Sequence, residues 1–313
     1  MSAWKILLTD GLEENGKAIL RKSAEVVENP TISADELLKV VGEYDALIVR
    51  GRTKVTAAVL AAGKKLKVVG RAGVGVDNID LAAAREHKVT VVNSPLATTV
   101  AVAELTMGLM LSAVRELPRA DAGLKVGKWL KKELEGTELF TKTLGIIGYG
   151  RIGASVGQRA KAFEMNVLGY DPLLPAEQIR ARGAEPVSLD ELLAKSDFIT
   201  MHLPLTPDTR GMLNEAAFAK MKKGVYVICA ARGGVIDEAA LLAALNSGKV
   251  AGAALDVYAT EPPGLTELVS HPKVVGTPHI GAQTVEAQIR AAHDISEEVL
   301  AALDGKPLHW KVA

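Results

Sequence analysis

Cysteine is almost absent from this 313-residue sequence, which contains Cys229 alone. A single cysteine can form no intramolecular disulfide and no thiolate-rich metal site, so disulfide scaffolds are excluded and no metal is expected. Disulfide-dense proteins belong to oxidising compartments. The composition therefore predicts a protein of the reducing cytoplasm.

A surplus of charge of either sign is also lacking, with 37 lysine and arginine residues against 37 aspartate and glutamate residues. Neither nucleic acid nor an anionic membrane is therefore an expected partner.

Long apolar runs are missing too. The most apolar stretch, 98–114, contains Glu104 and is followed by Arg115, and only three aliphatic residues precede Thr9. We predict no membrane span and no export signal, and interpret 98–114 as a buried helix.

The sequence is rich instead in short aliphatic runs that alternate with segments of helical spacing. The strand-like runs include 6–8, 46–49, 68–69, 89–92, 143–147, 167–170, 198–201, 225–228 and 253–255. This alternation predicts an α/β fold with parallel sheets covered by helices, and the length suffices for two domains. Because residues 285–303 have helical spacing and can return to the first unit, we predict a discontinuous domain of 1–95 and 284–313. The second domain then comprises 96–283.

A glycine-rich turn, Gly148-Tyr149-Gly150-Arg151-Ile152-Gly153, follows one strand-like run and opens a helical segment. In a dinucleotide-binding fold such glycines let the backbone approach a pyrophosphate, which binds the amides at the helix N-terminus. Asp171 ends the next strand, 23 positions after Gly148, where an acid binds ribose hydroxyls and repels the extra phosphate of NADP. The pattern predicts NAD as the cofactor. The alternatives are an ordinary tight turn and an Asp171 that only caps the turn before Pro172.

Five segments carry a resemblance that reaches from about residue 6 to residue 310. They are 69–78, 148–153, 231–238, 255–263 and 277–281. In these segments the sequence resembles the D-isomer-specific 2-hydroxyacid dehydrogenases, and most closely the members that oxidise D-3-phosphoglycerate. The resemblance implies two doubly wound parallel-sheet domains, with a Rossmann-type NAD domain inserted in a flavodoxin-like substrate domain.

By position in these motifs, Arg232, Glu261 and His279 match the catalytic arginine, carboxylate and histidine of the family. The chemistry agrees, because oxidation of a 2-hydroxy acid needs a base for the hydroxyl proton while hydride leaves the same carbon. His279 can take and return that proton near neutral pH. Glu261 would orient the ring, and Arg232 would bind the substrate carboxylate. Taken singly, each could be an ordinary loop or surface residue.

The resemblance also implies cofactor and substrate contacts. The expected cofactor-binding residues are Val74, Gly148, Gly150, Arg151, Ile152, Gly153, Asp171, Leu203, Pro204, Ala230, Ala231, Arg232, Asp256, His279, Gly281 and Ala282. The expected substrate-binding residues are Arg50, Arg52, Arg71, Gly73, Val74 and Arg232. His202 is an alternative base, but it matches a strand end in the cofactor pocket of the family.

The substrate is expected to be phosphorylated, because Arg50 and Arg52 alternate along an extended chain and so face the same way, with Arg71 as a third cation. The alternative is that these arginines are solvated or paired with nearby acids such as Asp45 or Asp77. Two positions depart from the family pattern: Cys229 and Thr98 stand where asparagine is common. We interpret Cys229 as a buried thiol without a catalytic role.

The expected activity is NAD-dependent oxidation of D-3-phosphoglycerate to 3-phosphohydroxypyruvate, a step in serine biosynthesis. A reductase of glyoxylate, hydroxypyruvate or another D-2-hydroxy acid is one alternative, and an NAD-sensing protein without enzymatic activity, like the co-repressors of similar fold, is another. The apolar segment 101–139 resembles the dimerisation region of the family, so we expect a homodimer. No serine-sensing domain is expected after Trp310, and serine is expected not to inhibit.

Overall fold

The computed structural model describes residues 4–313, which form two compact units. One unit comprises the residues up to Thr98 together with Ala282–Ala313, and the other comprises Thr99–Gly281. We refer to them as unit 1 and unit 2. Each contains one sheet whose strands are all parallel, with helices in the connections between strands. The predicted α/β class is therefore confirmed.

Unit 1 contains five strands: β1 (Trp4–Leu8), β2 (Ala24–Glu28), β3 (Ala46–Val49), β4 (Val68–Arg71) and β5 (Thr90–Asn93). Their order in the sheet is β2-β1-β3-β4-β5, which is the flavodoxin-like doubly wound order. The helices are α1 (Glu14–Leu20), α2 (Ala34–Val40), α3 (Ala57–Ala62), α4 (Leu81–Glu86) and, from the end of the chain, α12 (Val285–Leu303). A single 3₁₀ turn, Val41–Glu43, follows α2.

Helix α12 packs on the unit 1 sheet because its apolar side chains recur every three or four residues. Ile295 and Val299 are fully buried in the same core cluster as Ile6 and Ile48. Strand β4 and helix α12 are in close contact at Gly70, where a Cβ atom would lie 2.5 Å from Val299 Cγ2. The terminal helix thus completes a core begun at the other end of the sequence.

Unit 2 contains seven strands: β6 (Thr143–Ile147), β7 (Asn166–Tyr170), β8 (Glu185–Pro186), β9 (Phe198–Met201), β10 (Val225–Cys229), β11 (Val250–Leu255) and β12 (Val274–Gly276). Their order is β12-β11-β10-β9-β6-β7-β8. The helices are α5 (Thr99–Val114), α6 (Leu117–Lys125), α7 (Arg151–Ala162), α8 (Ala176–Ala181), α9 (Leu189–Lys195), α10 (Glu215–Lys220) and α11 (Glu238–Asn246).

The unit 2 order is the Rossmann order with one added edge strand, β12. In this topology the strand order reverses between β6 and β9. Ligands bind at the carboxyl ends of the strands at that point. The two cores of the unit lie on opposite faces of the sheet. One is built around Ile199, Val227 and Leu255, and the other around Phe198, Ile228 and Ala254. The predicted Rossmann-type fold is confirmed.

The structure adds three strands to those predicted from the sequence and confirms the buried helix. Strands β2, β8 and β12 were not predicted, because they are short or polar edge strands without an apolar alternation. Helix α7 begins at Arg151, inside the glycine-rich segment 148–153 that was predicted to open a helix. The apolar stretch 98–114 is helix α5, which buries residues such as Met107 and Met110, and no helix within 4–313 is long and apolar enough to span a membrane.

Candidate active site

The glycine turn lies at the carboxyl end of β6, and each glycine in it meets a different steric demand. Gly148 has a φ of +91°, and a Cβ atom there would lie 2.7 Å from the carbonyl carbon of His202. A Cβ atom on Gly153 would lie 2.1 Å from Gly148 O. A Cβ atom on Gly150 would have no neighbour within 4 Å. The first and third glycines are therefore required by packing, whereas the second leaves an open cradle.

The open cradle at Gly150 fits a pyrophosphate. Gly150 is the N-cap of the 12-residue helix α7 and has no side chain to cap its amides. The first amides of a helix have no carbonyl partners within it and carry the positive end of the helix dipole, so they bind phosphate groups. The sequence predicted pyrophosphate contacts at Arg151 and Ile152, the first two residues of this helix.

Asp171 follows β7 and lies beside the glycine turn. Its carboxylate accepts a hydrogen bond from Tyr149 N at 2.9 Å, and it also accepts from Leu173 N at 2.9 Å and Leu174 N at 3.2 Å. The acid thus caps the turn after β7 and anchors the glycine turn at the same time. A carboxylate at this place suits ribose hydroxyls and opposes an added phosphate.

We expect Gly150→Ala to fold normally and to lose about tenfold or more in NAD affinity, because its methyl group would occupy the cradle that the pyrophosphate needs. Gly153→Ala is the matched control, since its methyl group overlaps Gly148 O and should cost about 1–3 kcal/mol of stability. Thermal unfolding and NAD titration of both variants measure these effects. Normal NAD affinity in Gly150→Ala would show that the turn does not hold the pyrophosphate.

A hydrogen bond joins two of the predicted catalytic residues, His279 and Glu261. His279 Nδ1 lies 2.7 Å from Glu261 Oε2, with the side chains 47% and 36% exposed. Glu261 Oε1 accepts a hydrogen bond from Tyr258 N at 3.1 Å, so both carboxylate oxygens are used. A carboxylate at Nδ1 orients the ring and leaves Nε2 as the nitrogen available for proton transfer.

The loop that carries Glu261 is held by further contacts. Ala259 N donates to Glu238 Oε1 at 2.7 Å. Burial raises the pKa of Tyr258, and the carboxylates of Asp256, Glu238 and Glu261 add to the effect, so this phenol stays protonated. Neither Glu238 nor Tyr258 was singled out from the sequence. Both lie inside the motifs 231–238 and 255–263, which is the only signal that could have found them.

Arg232 follows β10 and is partly buried. Its guanidinium donates from Nη1 to the carbonyl of Ala231 at 2.6 Å, which holds the side chain close to its own backbone. The next residue, Gly233, packs so tightly that a Cβ atom would lie 1.7 Å from Tyr258 O. The arginine segment and the loop carrying Glu261 are therefore in direct contact, and the structure brings the predicted catalytic residues onto adjoining loops.

Two other side chains, those of His202 and Cys229, are poorly suited to acid–base or nucleophilic catalysis. Burial lowers the pKa of His202 to about 3, so its ring is neutral at physiological pH and makes a poor proton shuttle. Its Nε2 lies 3.1 Å from Thr200 Oγ1, while Nδ1 has no hydrogen-bond partner among residues 4–313. Burial raises the pKa of the Cys229 thiol to about 11, which keeps it protonated and unreactive.

The remaining cofactor candidates of unit 2 are mostly at strand ends. Leu203 is buried and would contact any side chain placed at Gly148, while Pro204 is exposed. Ala230 and Ala231 are buried directly after β10. Asp256 follows β11 and is buried, and it accepts a hydrogen bond from Gly281 N. Ala282, at the start of the second segment of unit 1, accepts a hydrogen bond from Gln288 Nε2 at 2.6 Å.

In unit 1 the structure separates two arginines that the sequence grouped together. Arg52 forms an ion pair with Asp10 at 3.1 Å and donates to the carbonyls of Ile32 and Thr9. The side chain of Arg50 makes no hydrogen bond and no ion pair with residues 4–313. Burial lowers the pKa of Arg50, and the charges of Glu13 and Asp10 oppose this effect. Of these two arginines, Arg50 has the side chain that is available to an anionic ligand.

The other substrate candidates of unit 1, Arg71, Gly73 and Val74, lie at the end of β4 and in the loop after it. Arg71 donates from Nη1 to Ala72 O at 2.9 Å. Gly73 has a φ of +140° and donates from its amide to Ser94 Oγ at 2.7 Å. Asn93 Nδ2 donates to Val74 O at 2.7 Å. The end of β5 thus fixes the loop after β4, a support that sequence analysis did not identify.

Among the residues that the structure describes, no group of three or more histidine, cysteine or acidic side chains is arranged to hold a metal ion. The candidate site consists instead of a glycine turn, an acid at the next strand end and a histidine–carboxylate pair with an adjoining arginine. These groups fit a dinucleotide and the transfer of one proton.

Comparison with known proteins shows the family to which this chain is similar. Residues 107–281 match the family described as D-isomer specific 2-hydroxyacid dehydrogenase, NAD binding domain. D-3-phosphoglycerate dehydrogenase of Methanocaldococcus jannaschii is 50% identical over 303 residues, which cover 96% of this chain. The match spans only 58% of that relative's own length.

Solved structures show the same fold over the full chain. A protein of Thermus thermophilus is 35% identical, with a TM-score of 0.90, and the match covers 99% of this chain and 100% of that one. A glyoxylate reductase of Paecilomyes thermophila is 33% identical, with a TM-score of 0.92, and the match covers 100% of this chain and 99% of that one.

Proposed function

Because the chain belongs to the D-isomer-specific 2-hydroxyacid dehydrogenases, we propose that it oxidises D-3-phosphoglycerate to 3-phosphohydroxypyruvate with NAD, a step in serine biosynthesis. The observation that carries the proposed reaction type is the contact of 2.7 Å between His279 Nδ1 and Glu261 Oε2. It supplies an oriented imidazole whose second nitrogen can accept and return a proton. The name of the relative from Methanocaldococcus jannaschii supports this choice of acid.

In the proposed reaction, His279 Nε2 takes the proton of the substrate 2-hydroxyl group. Glu261 accepts the hydrogen bond from Nδ1 and balances the positive charge that the ring then carries. Arg232 binds the substrate carboxylate through its planar fork of donors. NAD, when bound, supplies the acceptor for the hydride that leaves the same carbon. In the reverse direction, protonated His279 returns its proton to the oxygen of the keto acid.

The NAD cofactor is assigned to unit 2. The glycine turn would hold the pyrophosphate, and Asp171 would bind the adenosine ribose. The backbone of His202 and the side chain of Leu203 lie against Gly148, and the buried Nδ1 of His202 has no hydrogen-bond partner among residues 4–313. Asp256, Ala230 and Gly281 are proposed to lie around the nicotinamide, as the family resemblance implies.

A phosphorylated substrate is supported by Arg50. A partly buried guanidinium without a protein hydrogen bond is a site for an anion, because charge-assisted hydrogen bonds are strong in such surroundings. Arg71 and the backbone at Gly73 and Val74 are proposed as further contacts. Arg52 is proposed to support this part of unit 1 through Asp10 rather than to bind phosphate.

A panel of keto acids, assayed by the loss of NADH absorbance, tests the proposed substrate. We expect 3-phosphohydroxypyruvate to give the highest kcat/KM. The second candidate, a glyoxylate reductase, is favoured by the structure from Paecilomyes thermophila and predicts a preference for glyoxylate or hydroxypyruvate. Turnover of none of these acids, with NAD binding retained, would favour an NAD-sensing protein and contradict the proposal.

A homodimer in the cytoplasm is proposed as the working form. Exposed apolar side chains are concentrated in residues 117–140 of unit 2, and a second copy of the chain would cover them. They are Leu117, Leu124, Val126, Trp129 and Phe140, each at least 50% exposed. The free and buried Cys229 supports a reducing compartment. Sedimentation velocity of the purified chain distinguishes a dimer from a monomer.

A further inference from the structure

Asp256 is a buried acid whose contacts point to a task beyond the proposed place beside the nicotinamide. The residue is 1% exposed and follows β11. Its carboxylate accepts three hydrogen bonds, and all three donors come from the segment 277–281. They are Thr277 Oγ1 at 2.6 Å, Ile280 N at 2.8 Å and Gly281 N at 2.8 Å.

These donors lie on both sides of His279 in the chain. Thr277 precedes it by two positions, and Ile280 and Gly281 follow it directly. Asp256 therefore ties down the segment before the histidine and the segment after it from one point. We call this set of three hydrogen bonds the Asp256 clamp.

The backbone of His279 requires such a restraint. Its φ is +54°, in the left-handed region that is disfavoured for residues with a side chain. A residue of this kind persists only where its surroundings determine the conformation, because it costs of order 1–3 kcal/mol. The side chain is 47% exposed, so packing around the ring does little to hold it. Hydrogen bonds made by the residues on either side of His279 can supply the restraint.

The ring position depends on this conformation. The left-handed turn presents the His279 ring so that Nδ1 meets Glu261 Oε2, whose other oxygen is anchored to Tyr258 N. Glu261 thus fixes the orientation of the ring, whereas Asp256 fixes the backbone that delivers the ring. The two carboxylates act on different parts of one residue.

We propose that Asp256 is a positioning residue for His279, which it acts on through the hydrogen bonds of the clamp. This inference rests on the proposed role of His279 as acid and base. The clamp keeps His279 Nε2 within reach of the substrate hydroxyl, and a misplacement of about 1 Å can lower the rate by about 100-fold. Loosening the clamp lowers kcat, because a smaller fraction of molecules holds the ring in place.

Thr277→Val and Thr277→Ser form a matched pair that tests the clamp without altering the charge of Asp256. Valine removes the hydroxyl donor at nearly constant volume, and serine keeps it. We expect Thr277→Val to lower kcat by about tenfold, with the KM for NAD unchanged, and Thr277→Ser to restore kcat.

A second readout does not depend on substrate. In protein with ¹⁵N-labelled histidine, the hydrogen bond between His279 Nδ1–H and Glu261 gives a downfield proton resonance, which His279→Gln assigns by its loss. We expect Thr277→Val to broaden or remove that resonance and Thr277→Ser to retain it. Because the measurement is made on protein without substrate, it tests the clamp whichever acid the enzyme oxidises.

Asp256→Asn breaks the clamp more severely, since an amide nitrogen cannot accept a hydrogen bond, and we expect a larger loss of kcat in the folded variant. If Asp256→Asn fails to fold, Thr277→Val and Thr277→Ser still test the proposed role of Asp256. A folded Thr277→Val with unchanged kcat and an unchanged Nδ1–H resonance would overturn the proposal. So would a loss of NAD affinity in Thr277→Val with the resonance intact, because Asp256 would then act on the cofactor alone.

Discussion

The His279→Gln variant is expected to lose about 10²- to 10⁴-fold in kcat, the usual contribution of a positioned acid or base. Glutamine can still donate a hydrogen bond toward Glu261, but it has no group that accepts the substrate proton. Its unfolding temperature should stay close to that of the parent protein, because the side chain of His279 is 47% exposed. Formation of NADH from D-3-phosphoglycerate measures the rate. An unchanged kcat would exclude His279 as the base.

Glu261→Gln tests the charge at the same contact, with a smaller effect on the rate. Glutamine can still hydrogen-bond the ring, but it lacks the charge that balances the ring once His279 has taken the substrate proton. We therefore expect kcat to fall, but by less than in His279→Gln, because the ring that accepts the proton remains.

Steady-state rates of the oxidation and of the keto-acid reduction measure this effect. An unchanged kcat in both directions would show that the charge of Glu261 is not needed at this contact.

Arg50→Ala is expected to raise the KM for 3-phosphohydroxypyruvate by about tenfold or more, since a charge-assisted hydrogen bond is worth roughly 1.5–3 kcal/mol. The KM for hydroxypyruvate, which lacks the phosphate, should change little. Steady-state kinetics with both acids gives the comparison. Equal effects on the two substrates would mean that Arg50 does not bind phosphate.

Arg52→Ala is the matched control, two positions further along the chain. Arg52 pairs with Asp10 and with backbone carbonyls, so its loss should lower the free energy of unfolding by about 1 kcal/mol and leave the KM ratio of the two substrates unchanged. Chemical denaturation measures the first effect. A selective rise in the KM for the phosphorylated acid would instead make Arg52 a phosphate ligand.

The sequence by itself determined the parts of this protein that depend on local chain chemistry. A parallel strand buried on both faces must be a short aliphatic run, so strands such as β3, β9 and β10 were evident. The glycine turn was predictable because its steric demands fall within a few residues, between Gly148 and Gly153. Edge strands β2 and β12 escaped prediction, since a half-exposed edge needs no continuous apolar run.

Only the tertiary structure decided which of the candidate side chains are available to a ligand. Arg50 and Arg52 look alike in sequence, yet Asp10, about 40 positions earlier, pairs with Arg52 and leaves the side chain of Arg50 without an ion pair among the described residues. Likewise, the residues on either side of His279 donate their hydrogen bonds to Asp256, which lies 23 positions before the histidine. The physical reason is that charge pairing and backbone restraint depend on distances in space, which strand order in the sheet sets and local sequence does not encode.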